Sequence, residues 1–287
     1  MGLYLGSTDL SAADFYLGSN TVSAIYQGSN QLYPGGVGPA PVTADLLFSI
    51  DAQSYAGSGT TWADDSGNGW DAILVNSPTY VSAGDGSYFT FTAASSQWAY
   101  LPYSHWNGVT PNNYPFTDMG NSIGGGVDYS MEYVVWTNVT TDQSLGTIWG
   151  TSAQRSMTSV LRVSQQRFFF GTYYPSSNYF TDPGVPTGTA IGTGKWLHIV
   201  HTSNTSTNES VIYVNGSVYY APGSNQQARW AGFNTRNLIL LGQDNGTGTA
   251  GSFFLDGRSA VIRGYDRGLT AAEVSQQYAY YQTRYTF

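Results

Sequence analysis

Short runs in which every second residue is apolar recur along the chain, a spacing that is typical of β-strands. In one such run Leu46, Phe48 and Ile50 occupy alternate positions. Comparable runs occupy residues 72–75, 87–91, 98–101, 129–136, 144–149, 159–163, 168–172, 196–201, 211–220, 238–242 and 259–262. Those between residues 129 and 172 follow one another closely, which favours an antiparallel meander.

The clearest local signal is the Asn215-Gly216 pair between two apolar runs. Both residues tolerate the positive φ angles that a two-residue type I′ turn requires. The turn predicts that Val214 pairs with Ser217, Tyr213 with Val218, Ile212 with Tyr219 and Val211 with Tyr220. Each face of this ribbon then carries large apolar groups, so we expect the ribbon to lie inside a β-sandwich.

One helix is predicted, near the end of the chain. Thr270 is a suitable N-cap, and Glu273 stands at the capping-box position three residues later. Val274, Tyr278 and Tyr281 then line one face of the helix, which we expect to pack on the sandwich.

Composition supports an all-β protein. Aromatic residues make up 15% of the 287 residues, with 23 Tyr and 8 Trp, and there are 35 glycines. A formal net charge of −8 argues against a nucleic-acid partner, because binding to a phosphate backbone needs clustered Lys and Arg. The chain has no cysteine and no apolar run long enough to insert into a membrane, so neither disulfides nor membrane insertion is expected.

Three stretches together resemble one known family. They are the hairpin at residues 196–220 ("WLHIVHTSNTSTNESVIYVNGSVYY"), the segment at 62–91 that contains "DDSGNG", and "FLDGRSAVIRGYDRGLTAAEVSQQY" at 254–278. In this order they are similar to the laminin-G-like jelly rolls, also called concanavalin-A-like lectin/glucanase domains. The resemblance implies an antiparallel jelly-roll sandwich at residues 44–287, ending in a short helix.

The first 33 residues contain an internal repeat. "YxGS" occurs at residues 4–7, 16–19 and 26–29, which predicts strand–turn units too short to enclose a core. A Pro/Gly-rich linker follows at residues 34–43. The repeats resemble the "YLGS" segments at the N-terminal ends of tailed-bacteriophage virion proteins. This resemblance implies an arm that docks to other virion proteins through Tyr4, Leu5, Tyr16, Leu17 and Tyr26. The alternative is a β-arm that wraps its own domain.

Two segments are predicted to be long loops, at residues 102–127 and 173–194, because they lack any usable period. Aromatic side chains in predicted loops offer flat apolar faces beside Asn and Ser donors, a combination that suits sugars. The candidate carbohydrate-binding residues are Trp106, Tyr114, Tyr173, Tyr174 and Trp230. Protein contacts, or simple packing under the loops, are the alternative uses of the same residues.

Candidate catalytic groups are sparse. Glycoside hydrolysis needs two carboxyl groups across the scissile bond. The glucanases of the resembled family carry Glu-x-Asp-x-Glu on one strand, whereas Glu132, Glu209 and Glu273 are isolated here. His198 and His201 fall on opposite faces of one strand, and there is no Gly-x-Ser-x-Gly. We therefore predict that the chain is not an enzyme.

No cofactor is expected, and the one metal considered is calcium. Asp64, Asp65 and Asn68 form an oxygen-rich turn, and several members of the resembled family bind calcium through loop oxygens. Ordinary turn chemistry explains the same residues.

These observations predict a non-enzymatic bacteriophage structural protein, such as a fibre, decoration or tail-associated protein. Its arm would attach to the particle, and its jelly roll would face outward at the virion surface, with a host glycan as candidate ligand. A homo-oligomer is expected. A free carbohydrate-binding lectin is the first alternative and a glycoside hydrolase the second.

Overall fold

Two stacked antiparallel β-sheets and one C-terminal helix make up the body of the chain. The computed structural model describes residues 40–84, 86–102, 128–137, 141–149, 155–162, 167–174, 177–181, 194–204, 206–207, 209–221, 238–244 and 249–287. It also describes the backbone of the short segments 16–17, 20–21, 25–27 and 30–33. The predicted all-β antiparallel sandwich with a short C-terminal helix is confirmed.

The elements follow one another in this order. The strands are β1 (Tyr16–Leu17), β2 (Asn20–Thr21), β3 (Ile25–Gln27), β4 (Asn30–Tyr33), β5 (Leu46–Asp51), β6 (Thr61–Trp62), β7 (Ala72–Val75), β8 (Thr79–Val81), β9 (Tyr88–Phe91), β10 (Trp98–Leu101), β11 (Tyr129–Thr137), β12 (Gln143–Trp149), β13 (Arg155–Arg162), β14 (Arg167–Tyr174), β15 (Ser177–Thr181), β16 (Lys195–Asn204), β17 (Glu209–Val214), β18 (Ser217–Tyr220), β19 (Leu238–Leu240), β20 (Gln243–Asp244), β21 (Ala250–Ser252) and β22 (Gly257–Tyr265). The helix α1 spans Ala271–Gln282, and two short 3-10 turns lie at Ala52–Ser54 and Ala93–Ser95.

The front sheet has the strand order β15-β14-β13-β12-β19-β10-β7-β6. The back sheet has the order β18-β17-β16-β11-β22-β9-β8, and β5 pairs with the second half of β22 beyond β9. Strands that are adjacent in sequence therefore often belong to different sheets, and the chain crosses from one sheet to the other between β7 and β8. Such crossing connections are typical of sandwiches of this kind.

The core lies between the two sheets, and the inner faces of both sheets supply it. Tyr133 of β11, Ile199 of β16 and Phe89 of β9 share one buried cluster with Leu101 and Leu240 of the front sheet. Large aromatic side chains fill the space between the sheets, because each buries more apolar area than an aliphatic residue.

The outer face of the back sheet is covered by α1 and by the residues that follow it. Val134, Trp196 and Val261 of the sheet pack with Tyr281 of the helix and Tyr285 beyond it. Strands β11, β16 and β22 are consequently buried almost along their whole length. This explains why their sequences carry apolar residues on both faces.

The predicted hairpin forms, with one change in register. Asn215 and Gly216 have φ angles of 50° and 73°, as the type I′ turn requires. The pairs nearest the turn are as predicted, but a bulge then shifts Ile212 onto Tyr220 instead of Tyr219. The ribbon also lies at the edge of the back sheet and not in its interior, so the expectation that it lies inside the sandwich was wrong for β18, whose Val218 is 57% exposed.

The helix begins as predicted. The Thr270 side chain accepts a hydrogen bond from the Glu273 backbone N–H, and Glu273 Oε2 accepts one from the Thr270 N–H at 2.8 Å. The Arg267 guanidinium bonds both Glu273 oxygens, at 2.8 and 2.7 Å. This ion pair, with the cap, lowers the pKa of Glu273 to about 2. Val274 and Tyr281 are buried against the sheet, together with Gln277.

The N-terminal segments form two separate two-stranded ribbons. Leu17 pairs with Asn20 in the first and Gln27 with Asn30 in the second, on either side of the Gly-Ser of each repeat. Of the predicted docking residues, Tyr16 and Leu17 lie in β1 and Tyr26 lies in β3. Tyr4 and Leu5 lie outside the described residues.

The end of the predicted linker is attached to the body. Val42 is buried; its N–H donates to Gln277 Oε1 at 3.0 Å, and its carbonyl accepts from the Tyr265 hydroxyl at 3.2 Å. Ala40 O accepts from Gln276 Nε2 at 2.8 Å. Residues 40–43 are therefore hydrogen-bonded to the helix and the sheet. No helix in the described part of the chain has the length and apolarity needed to cross a membrane.

Gly216 is required both by the turn and by the helix, which gives the first prediction. A Cβ atom at this position would lie 2.7 Å from Tyr278 Cδ1 and 3.0 Å from Tyr278 Cβ. Gly216→Ala should therefore lower the free energy of unfolding by clearly more than the ~1 kcal/mol expected for a positive φ alone. Gly69→Ala is the matched control, since Gly69 has a φ of +76° and nothing within 4 Å of its Cβ position. Equal losses of stability for the two variants in urea denaturation would show that the close contact between Tyr278 and the turn adds nothing to the cost.

Candidate functional site

The side chains of all five predicted carbohydrate-binding residues lie outside the part of the chain that the structure describes in full. Trp106, Tyr114 and Trp230 fall outside the described residues. Tyr173 and Tyr174 end strand β14, paired with Asn178 and Ser177 of β15. The expectation of a continuous loop at 173–194 was therefore wrong at its start, because residues 177–181 form a strand. The sugar-binding role of these five residues stays a prediction.

A groove of about 310 Å³ lies at the open edge of the sandwich. It is bounded by the loop at residues 55–60, by β7 of the front sheet, and by the turn that carries the chain into β8, the last strand of the back sheet. Its lining consists of Tyr55, Gly57, Gly59, Thr60, Leu74, Ser77, Pro78 and Tyr80. The volume is at the lower end of the range for small-molecule sites, about 300–1,000 Å³.

Tyr55 shapes the groove through both ends of its side chain. Its hydroxyl donates a hydrogen bond to Gly59 O at 2.6 Å, which closes the loop on itself. Its ring packs edge-on against Phe89 of the core, with centroids 4.8 Å apart, and lies 4.9 Å from the ring of Tyr80. The two tyrosines are therefore held as a fixed, half-exposed aromatic surface.

The remaining lining separates into an apolar floor and a polar rim. Leu74 and Pro78 are buried, whereas Thr60 and Ser77 are exposed. Gly57 and Gly59 have φ angles of +84° and +92°, and a Cβ at either would meet nothing within 4 Å. The loop therefore leaves open space beside the tyrosines, and its backbone can approach a ligand closely. An apolar floor with hydroxyls at the rim matches a sugar ring, which has an apolar face and polar edges.

Sequence reasoning missed this groove. The residues come from a Gly/Ser turn and a Pro-containing turn, neither of which has a periodic pattern. A tyrosine followed by a Gly-Ser-Gly-Thr turn was the one available signal. This signal does not reveal the groove by itself, because the second tyrosine, Tyr80, is brought beside Tyr55 by β8 only in the folded chain.

In the oxygen-rich turn considered for calcium, the side chains of Asp64 and Asn68 form hydrogen bonds with the backbone. The Asp64 carboxylate accepts from the N–H groups of Ser49, Ser66 and Trp70, at 2.8 to 2.9 Å. Asn68 Nδ2 donates to the carbonyls at residues 46 and 47. Within the described ranges, no group of three or more His, Asp or Glu side chains is arranged to hold a metal ion. The "DDSGNG" turn thus fastens β5 to the following loop.

The pKa of a second acid in this region, Asp65, is raised above its usual value. Burial raises its pKa, a hydrogen bond from Ser54 lowers it, and the nearby carboxylates of Asp51 and Asp64 raise it. Asp65 therefore lies near two other carboxylates, one of which, Asp51, comes from a different segment. Asp51 is compensated by a bidentate ion pair with Arg284, at 2.6 and 2.8 Å.

Glu132 is isolated in sequence but lies at the centre of a buried network between the back sheet and α1. His198 Nε2 lies 2.7 Å from its Oε1, and Gln277 Nε2 and the Tyr265 hydroxyl donate to its Oε2 at 2.9 and 3.2 Å. Gln277 also bonds the Tyr265 hydroxyl. Burial alone lowers the pKa of the neighbouring Arg263, but the nearby Tyr281 and Glu132 raise it overall. Glu132 is fully buried, so its role is structural: it holds α1 against the back sheet.

The two histidines face opposite sides of β16, as predicted. His201 points into the core, where its Nε2 lies 2.6 Å from Ser210 Oγ and its Nδ1 lies 2.8 Å from the Tyr129 hydroxyl. The serine–histidine contact resembles part of a nucleophilic triad, with a tyrosine where an acid would stand. All three residues are fully buried, and burial lowers the pKa of His201 well below its usual value. The contact is therefore that of a neutral core histidine.

The two stacked antiparallel sheets place the protein among the jelly-roll sandwiches. The model of the concanavalin A-like lectin/glucanases superfamily matches residues 107–275, more than half of the 287 residues. The chain belongs to this superfamily. No curated protein matches it by sequence.

Solved structures with the same architecture include parts of carbohydrate-active proteins. A mutant of Trypanosoma rangeli sialidase displaying trans-sialidase activity has a TM-score of 0.56 and 16% identity, over 86% of this chain and 34% of that chain. Domain 4 of AbnA, an extracellular GH43 arabinanase from Geobacillus stearothermophilus solved with arabinotriose, has a TM-score of 0.54 and 16% identity, over 81% of this chain and 98% of that domain.

A third similar structure is the binding domain of Paraclostridial Mosquitocidal Protein 1, with a TM-score of 0.56 and 14% identity, over 82% of this chain and 52% of that one. At these identities the likeness shows the fold. The chain spans about a third of the length of the sialidase it matches.

These comparisons correct the prediction that the chain is not an enzyme. Sialidases and an arabinanase are among the proteins that contain this architecture. The prediction rested on the lack of an acidic motif on one strand, and the occurrence of the fold within glycoside hydrolases overturns it.

The Glu132 network gives the second prediction. Glu132→Ala should lower the free energy of unfolding by about 3–5 kcal/mol, because His198 and Arg263 would stay buried without the negative charge. Glu209 is exposed and serves as the control, with an expected change of less than ~0.5 kcal/mol for Glu209→Ala. Urea denaturation compares the two variants. A small loss for Glu132→Ala would mean that the network does not hold the helix.

Proposed function

We propose that the chain is a carbohydrate-recognition domain whose ligand is a sugar bound in the edge groove. The observation that carries the proposal is the fixed pair Tyr55 and Tyr80 above an apolar floor with hydroxyls at its rim. Membership of a superfamily of lectins and glucanases supports it. So does the arabinotriose complex of the domain that this chain matches over 98% of that domain's length.

The groove accommodates a neutral sugar best. Its lining contains no charged side chain, so the contacts available are stacking on the tyrosine rings and hydrogen bonds to Thr60, Ser77 and the loop backbone. Aromatic stacking needs the ring to be held in place, which the Tyr55 hydroxyl bond and the contact with Phe89 provide.

The third prediction tests the groove. The full chain should bind neutral oligosaccharides such as arabinotriose in calorimetric titration, and Tyr55→Ala should weaken that binding about tenfold by removing one stacking face and opening the loop. Tyr100→Ala is the control. Tyr100 is likewise half-exposed, but it packs against Trp98 on β10, outside the groove. No binding across a panel of neutral glycans, or equal losses in both variants, would refute the groove as the site.

We further propose that residues 1–33 attach the domain to a bacteriophage particle, at its surface and in contact with other virion proteins. The support is the "YxGS" resemblance and the small size of the ribbons. Two-stranded ribbons are marginal in water by themselves, so they gain stability from a neighbour. In this arrangement the arm anchors and the jelly roll presents its groove to a glycan on the host.

The fourth prediction tests the arm. Mass spectrometry should detect the chain in purified particles of the phage that encodes it. The triple variant Tyr16→Ala, Leu17→Ala, Tyr26→Ala should remain folded but be lost from particles. A control with Asn20→Ala, Thr21→Ala and Asn30→Ala changes polar residues of the same ribbons and should be retained. Absence of the unaltered chain from particles rejects the virion proposal, and retention of the first variant rejects the role of the arm.

A further inference from the structure

Arg258 stands apart from the other arginines. Three other arginines have described side chains, and each bonds an oxygen: Arg263 bonds Ser49, Arg267 bonds Glu273 and Arg284 bonds Asp51. Arg258 instead lies over two aromatic rings. Among the residues that the structure describes, no acidic side chain forms an ion pair with it, and its N–H groups have no hydrogen-bond acceptor.

Two aromatic rings lie against the guanidinium. Its central carbon lies 4.3 Å from the centroid of the Trp136 ring and 4.9 Å from that of Tyr88. Arg258, Trp136 and Tyr88 are all half-exposed. Stacking uses the flat faces of a guanidinium, so its edge, where the N–H donors point, stays available.

The sheet makes this arrangement rigid. Thr90, Arg258, Trp136 and Trp196 are neighbours across strands β9, β22, β11 and β16, on the outer face of the back sheet. Tyr88 packs edge-on against Trp196 with centroids 5.6 Å apart, so the Tyr88 ring is itself supported. A donor fork fixed in this way loses little side-chain entropy when it binds an acceptor.

The acceptor that fits such a fork is a planar carboxylate, which takes two parallel N–H bonds. An extended polyphosphate does not match, because the site offers a single guanidinium and the chain carries a net charge of −8. Beside the fork lie the half-exposed Trp136 side chain and Thr90, which pairs with Arg258 across the strands. An aromatic group next to a hydroxyl residue suits a ring with an apolar face and hydroxyl groups.

We propose that Arg258, Trp136 and Tyr88 form a second binding site, on the outer face of the back sheet, for the carboxylate of an acidic sugar such as a uronic acid. It is separate from the edge groove, which is lined by other residues and takes a neutral sugar. The carboxylate bonds the free edge of the guanidinium while the sugar ring lies against Trp136.

Two sugars that differ at one carbon test the proposal. D-glucuronate carries a carboxylate where D-glucose carries a hydroxymethyl group, so titration of the full chain, followed by NMR at the indole N–H of Trp136, compares the two sugars at this site. Glucuronate should bind at least about tenfold more tightly than glucose, because charge-assisted hydrogen bonds are the stronger kind. Arg258→Gln should remove this preference, and Arg258→Lys should weaken it, since lysine keeps the charge but not the planar fork.

The controls separate this site from general charge. Lys195→Gln removes the same charge from β16 and should leave the preference intact. Thermal unfolding shows that each variant is folded, and Arg258→Lys carries the test should Arg258→Gln not fold. Glucuronate binding no better than glucose overturns the proposal, and so does an equal loss in Lys195→Gln. Neither result bears on the groove, because the signal comes from a residue of this site and the groove is lined by other residues.

Discussion

One buried carboxylate determines how the C-terminal helix sits on the sandwich. Glu132 accepts bonds from Gln277 of α1 and from Tyr265 of β22, and it contacts His198 of β16. Moving a charged carboxylate out of water is costly, so the helix can lie only where these donors meet it. His198 Nδ1 and Arg263 Nη1 are buried without a hydrogen-bond partner among the described residues. The main effect of the network is therefore to fix one position of the helix. Its net contribution to the free energy of folding is smaller than the loss expected on removing Glu132 alone, because burying charged groups has a cost of its own.

This position of the helix decides which surfaces remain for ligands. The inner faces of both sheets are used in the core, and α1 with Tyr285 covers much of the outer face of the back sheet. On that sheet the edges at β8 and β18 stay accessible, as does the part of the outer face around Arg258. The groove lies at the β8 edge, and the Arg258 site lies on the outer face. Tyr55 of the groove packs on the core between the sheets, whereas Tyr88 beside Arg258 packs on Trp196 of the cluster under the helix. Aromatic contacts therefore make both sites rigid, although neither is deeply enclosed.

Features set by a few adjacent residues could be predicted from the sequence. The Asn215-Gly216 turn and the Thr270–Glu273 capping box depend on backbone angles and bonds within four residues, and both form as expected. The bulge at Ile212 could not be predicted, because the pattern of apolar residues does not show which residue is skipped. The edge position of β18 depends on the order of strands in the sheet, which local patterns do not contain.

The sites were harder to predict because their members come from distant parts of the chain. Glu132 has no acidic or basic neighbour within three residues, and its partners His198, Tyr265 and Gln277 lie 66, 133 and 145 positions away. The same distance in sequence explains the error about enzyme activity. A motif on one strand represents one way to bring carboxyl groups together, yet here Asp65 lies near the carboxylates of Asp64 and of Asp51, which belongs to another segment. The lack of Glu-x-Asp-x-Glu therefore excludes one arrangement of acids on a single strand. Glycoside hydrolysis as a class depends on where the folded chain places its carboxylates.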